Sequence, residues 1–520
     1  MPIYRPIGEF CCLPAGATHR TLVYSRLLND RRFHAGLLAV MALLVLFAKL
    51  HQGDLGGYDS AVYAHEGKQI LATGQWWSVY LNGQPDFDKP PMFVWLEAIS
   101  MWMLGVSDFA ARFPSALLGF GTILLIYFLT CELSDSYWTP VWAMMILLTT
   151  HPFMRFAMRA MTDVPFTFFF ALALLLYLKG LRRPRLLLGF GLALGAAILL
   201  RSFLGLIPLG VVLAHLFVTG RLRLLRSAHF QAGVALAIGL PLIWFLSQYQ
   251  LFGSRFLAQH FSFTYDNLPL TNGKRAGQAV AGLLEYPRLL LGAYWPWLPL
   301  MAIGLVAQAK KMIGRRDATA SLLVIWVAAT IVPFSFAEFK WLRYLMPAFP
   351  AFALLAAFTL DAYLTARRRA WFLRAAYAAL LLAMGGMWIN PKYRDRPEEI
   401  RRLAPIAESA THPDQKILLY TKRHPRDAHL FQLIWYADRY CDLLSDFNEV
   451  VSRLERNPDA VAITDKQAFE QIRRAGGRDI RVLGETESFI CWMKPGTGGE
   501  TKARNRVKPD AQTGVTNGTF

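Results

Sequence analysis

Residues Tyr58–Ser115 read YDSAVYAHEGKQILATGQWWSVYLNGQPDFDKPPMFVWLEAISMWMLGVSDFAARFPS. The stretch separates the first hydrophobic block of the chain from the second, yet it carries Asp59, Tyr63, His65, Glu66, Asp86, Asp88 and Lys89. The blocks around it decide the fold. Of the 520 residues 54% are hydrophobic, the mean hydropathy is +0.30, and apolar blocks recur from residue 33 to residue 388. Each is roughly 15 to 23 residues long, near the ~20 an α-helix needs to cross about 30 Å of hydrocarbon while satisfying its own backbone. The chain is therefore expected to be a polytopic α-helical membrane protein, with the Tyr58 stretch as a polar loop at one membrane face.

A net charge of +19 suggests nucleic acid at first sight, but the basic residues punctuate alternate loops. The expected spans are 33–51, 109–131, 137–153, 163–180, 186–200, 203–219, 229–248, 288–308, 319–336, 345–365 and 371–388. Basic clusters lie at Arg20, Arg26, Arg31 and Arg32, at Arg182, Arg183 and Arg185, at Arg221, Arg223 and Arg226, at Lys310, Lys311, Arg315 and Arg316, and at Arg367, Arg368 and Arg369. With eleven spans all of these loops share one side, which the positive-inside rule makes cytoplasmic. Residues 1–32 form a cytoplasmic tail, 33–389 the membrane domain, and the external side receives loop 52–108, loop 249–287 and everything after residue 389. The tail lacks the short apolar core and small-residue cleavage site of a secretory signal, so the first span is expected to stay as an anchor. Cys11 and Cys12 lie in it with no metal-site partner nearby.

Within the first external loop, SAVYAHEGKQILATG has near-helical apolar spacing and ends at Gly74, which suits a short helix lying on the membrane surface. PPMFVWLEAISMWMLGV is short, contains Glu97 and carries two Trp, so it is expected as a second interfacial helix. Counting it as a span would turn the arginine clusters outward. The second external loop brings Arg155, Arg159 and Asp163 to a membrane edge, where an acid needs a partner or serves as a helix cap. The third holds Arg255, His260, Lys274 and Arg275; the fourth, FAEFKWLRYLMPAFP, holds Glu338, Lys340, Arg343 and Tyr344. GFGLALG at 189–195 lies inside a span without a preceding strand, so it is a close-packing surface rather than a nucleotide loop.

After residue 389 the composition changes. KILLYTKR, LFQLIWYADRY, AVAITDKQ, DIRVLGE and SFICWMK are expected as strands, with helices at EEIRRLAPIAESA and NEVVSRLER, giving an extracytoplasmic α/β domain over 390–495. Cys441 and Cys491 fall in it and are available to pair if it lies outside the cytoplasm. The polar tail 496–520 is expected to be disordered.

Acids and bases from several external loops thus share one membrane surface, where a substrate with a lipid tail and a charged head is met. Group transfer from a lipid phosphate needs a base for the acceptor hydroxyl and cations for the departing phosphate. Asp59 is the first choice of base and Asp163 the second; Lys89, Arg255, Lys340 and Arg343 are the phosphate candidates. The same pattern suits a lipid or solute transporter, whose charged residues line a pathway.

The segment YDSAVYAHEGKQILATGQW…LNGQPDFDKPPMFVWL…ARFPSAL resembles the first external loop of the membrane glycosyltransferases that include bacterial lipid A aminoarabinose transferase and the protein O-mannosyltransferases. The order of MTDVPF, FLAQHF and KWLRYLMPAFP agrees, and the resemblance covers about residues 36–360. It implies the GT-C membrane fold, a polyprenyl-phosphate-linked sugar as donor, and an acceptor such as lipid A, other lipopolysaccharide, or a protein or envelope glycan, met at the outer (periplasmic) face of the bacterial inner membrane. It matches Asp59 to the proposed catalytic aspartate, Tyr63 to a site tyrosine and Lys89 to the lysine on the donor phosphate, with Tyr344 among the substrate-binding residues. Asp88 and His260 match two residues that hold a divalent metal in the aminoarabinose enzyme; no cofactor is otherwise required, and no nucleic acid is expected as a partner. Ser60 and Val62 depart from the usual acidic and basic residues beside the aspartate, which bears on sugar and acceptor identity.

Overall fold

The computed structural model describes residues 30–267, 276–335, 340–389, 399–420, 428–444, 446–457, 460–474 and 480–493. The expectations for Cys11, Cys12, Lys274, Arg275, Glu338 and the polar tail lie outside the described residues. Two compact units emerge: residues 1–52 with 66–394, and residues 53–65 with 395–520.

The first unit is helical. In order it contains α1 (Arg31–Phe47), the later part of α2 (Tyr58–Thr73), a hairpin of β1 (Tyr80–Leu81) and β2 (Gln84–Pro85), α3 (Met92–Leu104), α4 (Asp108–Leu133), α5 (Thr139–Leu148), α6 (His151–Ala157), α7 (Asp163–Gly180), α8 (Leu186–Arg201) and α9 (Ile207–Val218). It continues with α10 (Ala228–Phe252), α11 (Ser254–Asn267), α12 (Ala276–Ala293), α13 (Leu298–Arg315), α14 (Ala318–Ser335), α15 (Phe349–Tyr363) and α16 (Ala366–Ile389). Among the described residues six helical segments are long and apolar enough to cross a membrane: Asp108–Leu133, Asp163–Gly180, Leu186–Val218, Ala228–Phe252, Ala318–Ser335 and Leu342–Tyr363. The protein is thus a polytopic membrane protein, and these six are its clear spans among the described residues. Several of the other blocks expected as spans are divided or joined locally. The block expected at 137–153 breaks into α5 and α6 around Thr149 and Thr150, ahead of Pro152. The two expected at 186–200 and 203–219 run together through a 3₁₀ turn, Ser202–Leu206. The one expected at 288–308 is interrupted between α12 and α13, and α13 ends in Lys310, Lys311 and Arg315.

α3 has 13 residues, which at about 1.5 Å per residue gives roughly 20 Å, too short for the hydrocarbon core. It buries Phe93, Val94, Glu97 and Met101 and exposes Trp102 and Met103, an amphipathic pattern that suits an interface. α10 turns Ile238, Leu242, Ile243 and Leu246 outward; that row is costly in water and at ease in lipid. The glycines of GFGLALG serve packing. A Cβ on Gly191 would lie 2.0 Å from the carbonyl oxygen of Gly233, so only glycine lets α8 and α10 approach this closely.

The second unit carries a five-stranded sheet in the order β4 (Cys441–Leu444), β3 (Ile417–Tyr420), β5 (Val461–Asp465), β7 (Phe489–Met493), β6 (Arg481–Glu485). β4, β3 and β5 are parallel; β7 and β6 run antiparallel at the other edge. The helices are α17 (Glu399–Ser409), α18 (Ala428–Ala437), α19 (Phe447–Arg456) and α20 (Lys466–Arg474). Leu418, Tyr420, Ala462, Ile490 and Trp492 alternate along the strands and pack on Val450, Leu454, Phe469 and Ile472 of α19 and α20. The other face meets α17, whose Leu403 and Ile406 lie against Gly484. One strand expectation fails: LFQLIWYADRY forms helix α18, and the neighbouring strand is β4. Leu433, Ile434 and Ala437 are buried at the spacing of one helical face, so the helical period governs a run whose aromatic residues favour a strand. Cys441 and Cys491 are free thiols on β4 and β7 with β3 and β5 between them; three strand spacings of about 4.8 Å exceed any disulfide span.

Candidate active site

The functional residues of the membrane unit are held by short-range turns first. Asn82 and Gly83 both adopt positive φ, 52° and 76°, the turn an Asn-Gly pair makes between two short strands. The hairpin returns the chain to Asp86, whose backbone N–H donates to the Val79 carbonyl at 3.0 Å. The Asp86 side chain then accepts from the Asp88 N–H at 3.1 Å, and Pro90 and Pro91 lead into α3, where the Trp95 N–H bonds Pro91 at 2.9 Å. Asp88 and Lys89 therefore sit on a loop fixed at both ends.

Phe87, on the same loop, is 1% exposed and packs on Phe252 and Phe256 with ring centroids 4.9 and 5.4 Å away. Its carbonyl lies 2.6 Å from His260 Nδ1, and His260 Nε2 lies 3.0 Å from the Ser202 hydroxyl. Ser202 has φ 48°, a left-handed conformation for a residue with a Cβ, held where α8 gives way to the 3₁₀ turn. Its neighbour Arg201 pairs with Asp163, the first residue of α7. Ser115 of the ARFPSAL segment donates to the Met161 carbonyl at 2.9 Å and so ties α4 to the turn before Asp163. Four separated motifs, FDKPP, FLAQHF, MTDVPF and ARFPSAL, meet in this way through Phe87, His260, Arg201 with Ser202, and Ser115.

Beside this chain of contacts lies a group of carboxyls. Glu66 is 3% exposed and Glu97 is fully buried. Burial raises the Glu66 carboxyl well above the ordinary range; the charge of Asp86 and a hydrogen bond that protonated Glu66 donates to it add to the effect, and Lys89 opposes it. Glu97 is raised by burial alone, and neither of its oxygens has a hydrogen-bond partner. Gly67 lies against it: a Cβ there would be 3.1 Å from Glu97 Cβ. Burial lowers the His260 pKa, with the Phe87 carbonyl and Asp86 opposing, so His260 is a neutral ring.

The fourth external loop packs against α7 through the 3₁₀ turn Leu342–Ala348. The Arg343 guanidinium lies 5.8 Å from both the Trp341 and Tyr344 rings, and Tyr344 stacks on Phe334 at 5.1 Å. Lys340 is half-buried at the start of the same segment. Arg255 is exposed on α11, five residues before His260. Asp59 and Tyr63 belong to the other unit. Asp59 is half-buried in the first turn of α2, whose helix begins one residue earlier at Tyr58, so it lies inside the helix rather than capping it; Tyr63 is 4% exposed. Thr162, at the N-cap of α7, makes no side-chain capping bond.

Sequence reasoning passed over the partner of Asp163. Arg155 and Arg159 are nearer in sequence, yet Arg201 forms the pair. Its signal was present: a lone arginine interrupting an otherwise apolar run. Glu97 gave the same kind of signal in a Trp-rich helix. Among the described residues no three His, Cys, Asp or Glu side chains gather as a metal site, and both His260 nitrogens are engaged in hydrogen bonds. Asp88 and His260, the two residues expected to hold a metal, thus have no third His, Cys, Asp or Glu gathered with them among the described residues.

The fold is that of the GT-C membrane proteins, and the chain is similar in sequence to the ArnT-like arabinosyltransferases and, over part of its length, to the PMT-like mannosyltransferases. A sequence profile of the dolichyl-phosphate-mannose-protein mannosyltransferases matches residues 88–245. An uncharacterised protein of Aquifex aeolicus is 29% identical over 326 residues, 62% of each chain. The undecaprenyl phosphate-alpha-4-amino-4-deoxy-L-arabinose arabinosyl transferase 1 of Sodalis glossinidius is 26% identical, over 62% of this chain and 58% of its own. Both alignments thus span about three-fifths of the relative. The crystal structure of ArnT from Cupriavidus metallidurans bound to undecaprenyl phosphate superposes with a TM-score of 0.70 at 18% identity, covering 89% of this chain and 98% of that one.

Proposed function

We propose that the protein is a glycosyltransferase that moves a sugar from a polyprenyl-phosphate donor to an acceptor at the outer face of a bacterial inner membrane, with lipid A or another lipopolysaccharide as the first acceptor and a protein or envelope glycan as the next. The observation that carries this reading is the junction of FDKPP, FLAQHF and MTDVPF through Phe87, His260, Ser202, Arg201 and Asp163. In the reaction the acceptor hydroxyl oxygen bonds to the anomeric carbon of the donor as the bond from that carbon to the phosphate oxygen breaks. Asp59 takes the hydroxyl proton. Lys89, with Arg343, Lys340 and Arg255, binds the phosphate dianion that departs on its lipid, through charge-assisted hydrogen bonds. Tyr63 and Tyr344 line the sugar and phosphate. Asp163 pairs with Arg201 and is the second carboxylate of the reading.

The same reading assigns eleven crossings in the membrane unit, an external loop 52–108, and a C-terminal α/β domain outside the membrane. Support comes from the arginine clusters, which then all face the cytoplasm. Purified protein in lipid nanodiscs, given a panel of polyprenyl-phosphate sugars and lipid A, tests the activity: mass spectrometry is expected to find a glycosylated acceptor and free polyprenyl phosphate in equal amounts. Substrate movement across a vesicle membrane without any glycosidic product would make the protein a transporter instead.

A further inference from the structure

The segment that leads into Asp59 is built into the C-terminal unit. The Asp54 carboxylate is 1% exposed and pairs with Arg401 of α17. Arg401 in turn lies over the Tyr436 ring, 5.2 Å from its centroid. The Tyr436 hydroxyl accepts from the Leu55 N–H at 2.9 Å, and Gln432 Nε2 donates to the Leu55 carbonyl at 3.2 Å. The ring of Tyr58 meets Phe431 edge to face at 4.5 Å. Between these anchors the Gly56 N–H folds back on the Asp54 carbonyl at 2.7 Å, and Gly57 turns the chain with φ 88°, a conformation that favours glycine. Both backbone groups of Leu55, the side chain before it and the aromatic ring after it are thus all gripped, and the next residue is Asp59. The Asp54 carboxylate is taken out of water while Arg401 stays 46% exposed, and the cost of that desolvation is offset only where the geometry is good. The contacts fix where α2 begins.

We propose that Arg401 and Tyr436 are positioning residues for Asp59: the C-terminal domain sets the place of the carboxylate by holding the turn Asp54–Tyr58. The proposal rests on the glycosyltransferase reading for its catalytic consequence. Displacing a reacting group by about 1 Å costs roughly 100-fold in rate, so the effect falls on turnover while donor binding at Lys89 and Arg343 is kept.

The test uses the full-length protein. Arg401→Ala and Tyr436→Phe are expected to lower kcat by roughly 10- to 100-fold, with the donor KM within about twofold; Arg401→Lys is expected to recover part of the loss. Lys416→Ala, which removes an exposed pair with Asp442 elsewhere in the same domain, serves as the control. In an Asp59→Asn background, Arg401→Ala is expected to add no further loss, because residues that act as a unit are not additive. Should wild type transfer sugar and both variants keep its kcat, or should Arg401→Ala lower the Asp59→Asn residual rate by its full factor, the positioning role is overturned while the activity stands. Should wild type transfer nothing, the glycosyltransferase reading falls, and amide exchange over residues 54–60 decides the rest: protection unchanged in Arg401→Ala overturns the grip itself. Tyr436→Phe removes one hydroxyl and no charge, so it carries the test if Arg401→Ala does not fold.

Discussion

Arg201, the last residue of α8, closes an ion pair on Asp163, the first residue of α7, with Asp163 2% and Arg201 16% exposed. The partners lie 38 residues apart, and each ends a helix at the same edge of the membrane unit. Among the described residues one Asp163 oxygen and Arg201 Nε have no hydrogen-bond partner, so the pair is incompletely satisfied and sensitive to loss of either side. Arg201→Ala is expected to destabilise the detergent-solubilised protein by about 3–5 kcal/mol, the usual cost of stranding a buried charge. Arg201→Ala with Asp163→Ala should recover much of that loss, because neither charge is left alone. Thermal unfolding measures it; a single variant as stable as wild type would show that water already reaches the carboxylate.

Lys89 sits on the loop between the Asn-Gly hairpin and Pro90, with its charge near Glu66. Lys89→Ala is expected to weaken donor binding or turnover by about 1.5–3 kcal/mol, roughly 10- to 150-fold, the worth of a hydrogen bond to a charged group. Titration with polyprenyl phosphate reads the binding arm directly. Wild-type affinity and turnover would reduce Lys89 to a surface lysine in a proline turn.

Asp59→Asn keeps the size and most of the hydrogen bonding of the side chain and removes its basicity. Transfer is expected to drop by roughly 10²- to 10⁴-fold while donor binding persists, the scale of general-base catalysis. An active Asn variant would move the base to Asp163.

Glu97 supplies the pH dependence. Burial raises its carboxyl well above the ordinary carboxylate range, so the folded state keeps the proton after the unfolded chain has lost it. The stabilisation is complete below the unfolded value of about 4.3 and declines as pH rises toward the folded value. Glu97→Gln is neutral throughout. Its Tm is expected to gain on wild type as pH rises above the unfolded value of about 4.3, and an offset independent of pH would mean that Glu97 is ionised in the fold.

Tags placed after Arg226 and after Arg368 are expected to stay protected from protease in intact spheroplasts, and one near residue 458 to be cleaved. Protection of that last tag would reverse the orientation.

The helical character of the membrane blocks and of the two first-loop segments, Tyr58–Thr73 and Met92–Leu104, was legible because hydropathy and apolar spacing are local. So was the packing role of GFGLALG. The number of clear spans was not, because composition does not report where Thr149, Thr150 or Ser202 interrupts a helix. α18 was misread as a strand, since Phe431, Ile434, Trp435 and Tyr436 have strand propensity and their helical spacing loses to it in a short window. The motifs pointed to Asp59, Asp163 and Lys89, but the pairings of Arg201 with Asp163 and of Arg401 with Asp54 are tertiary facts: a lone arginine in an apolar run shows that Arg201 needs a partner without naming it.

The grip on Asp54 also has a timetable. Arg401 follows Asp54 by 347 residues, and at about 5–20 residues per second that distance takes roughly 20 to 70 seconds to translate. Throughout that interval the turn before Asp59 has left the ribosome and its holders have not been made. Under the positioning role proposed for Arg401, a nascent or truncated chain therefore carries Asp59 on a turn whose holders do not yet exist.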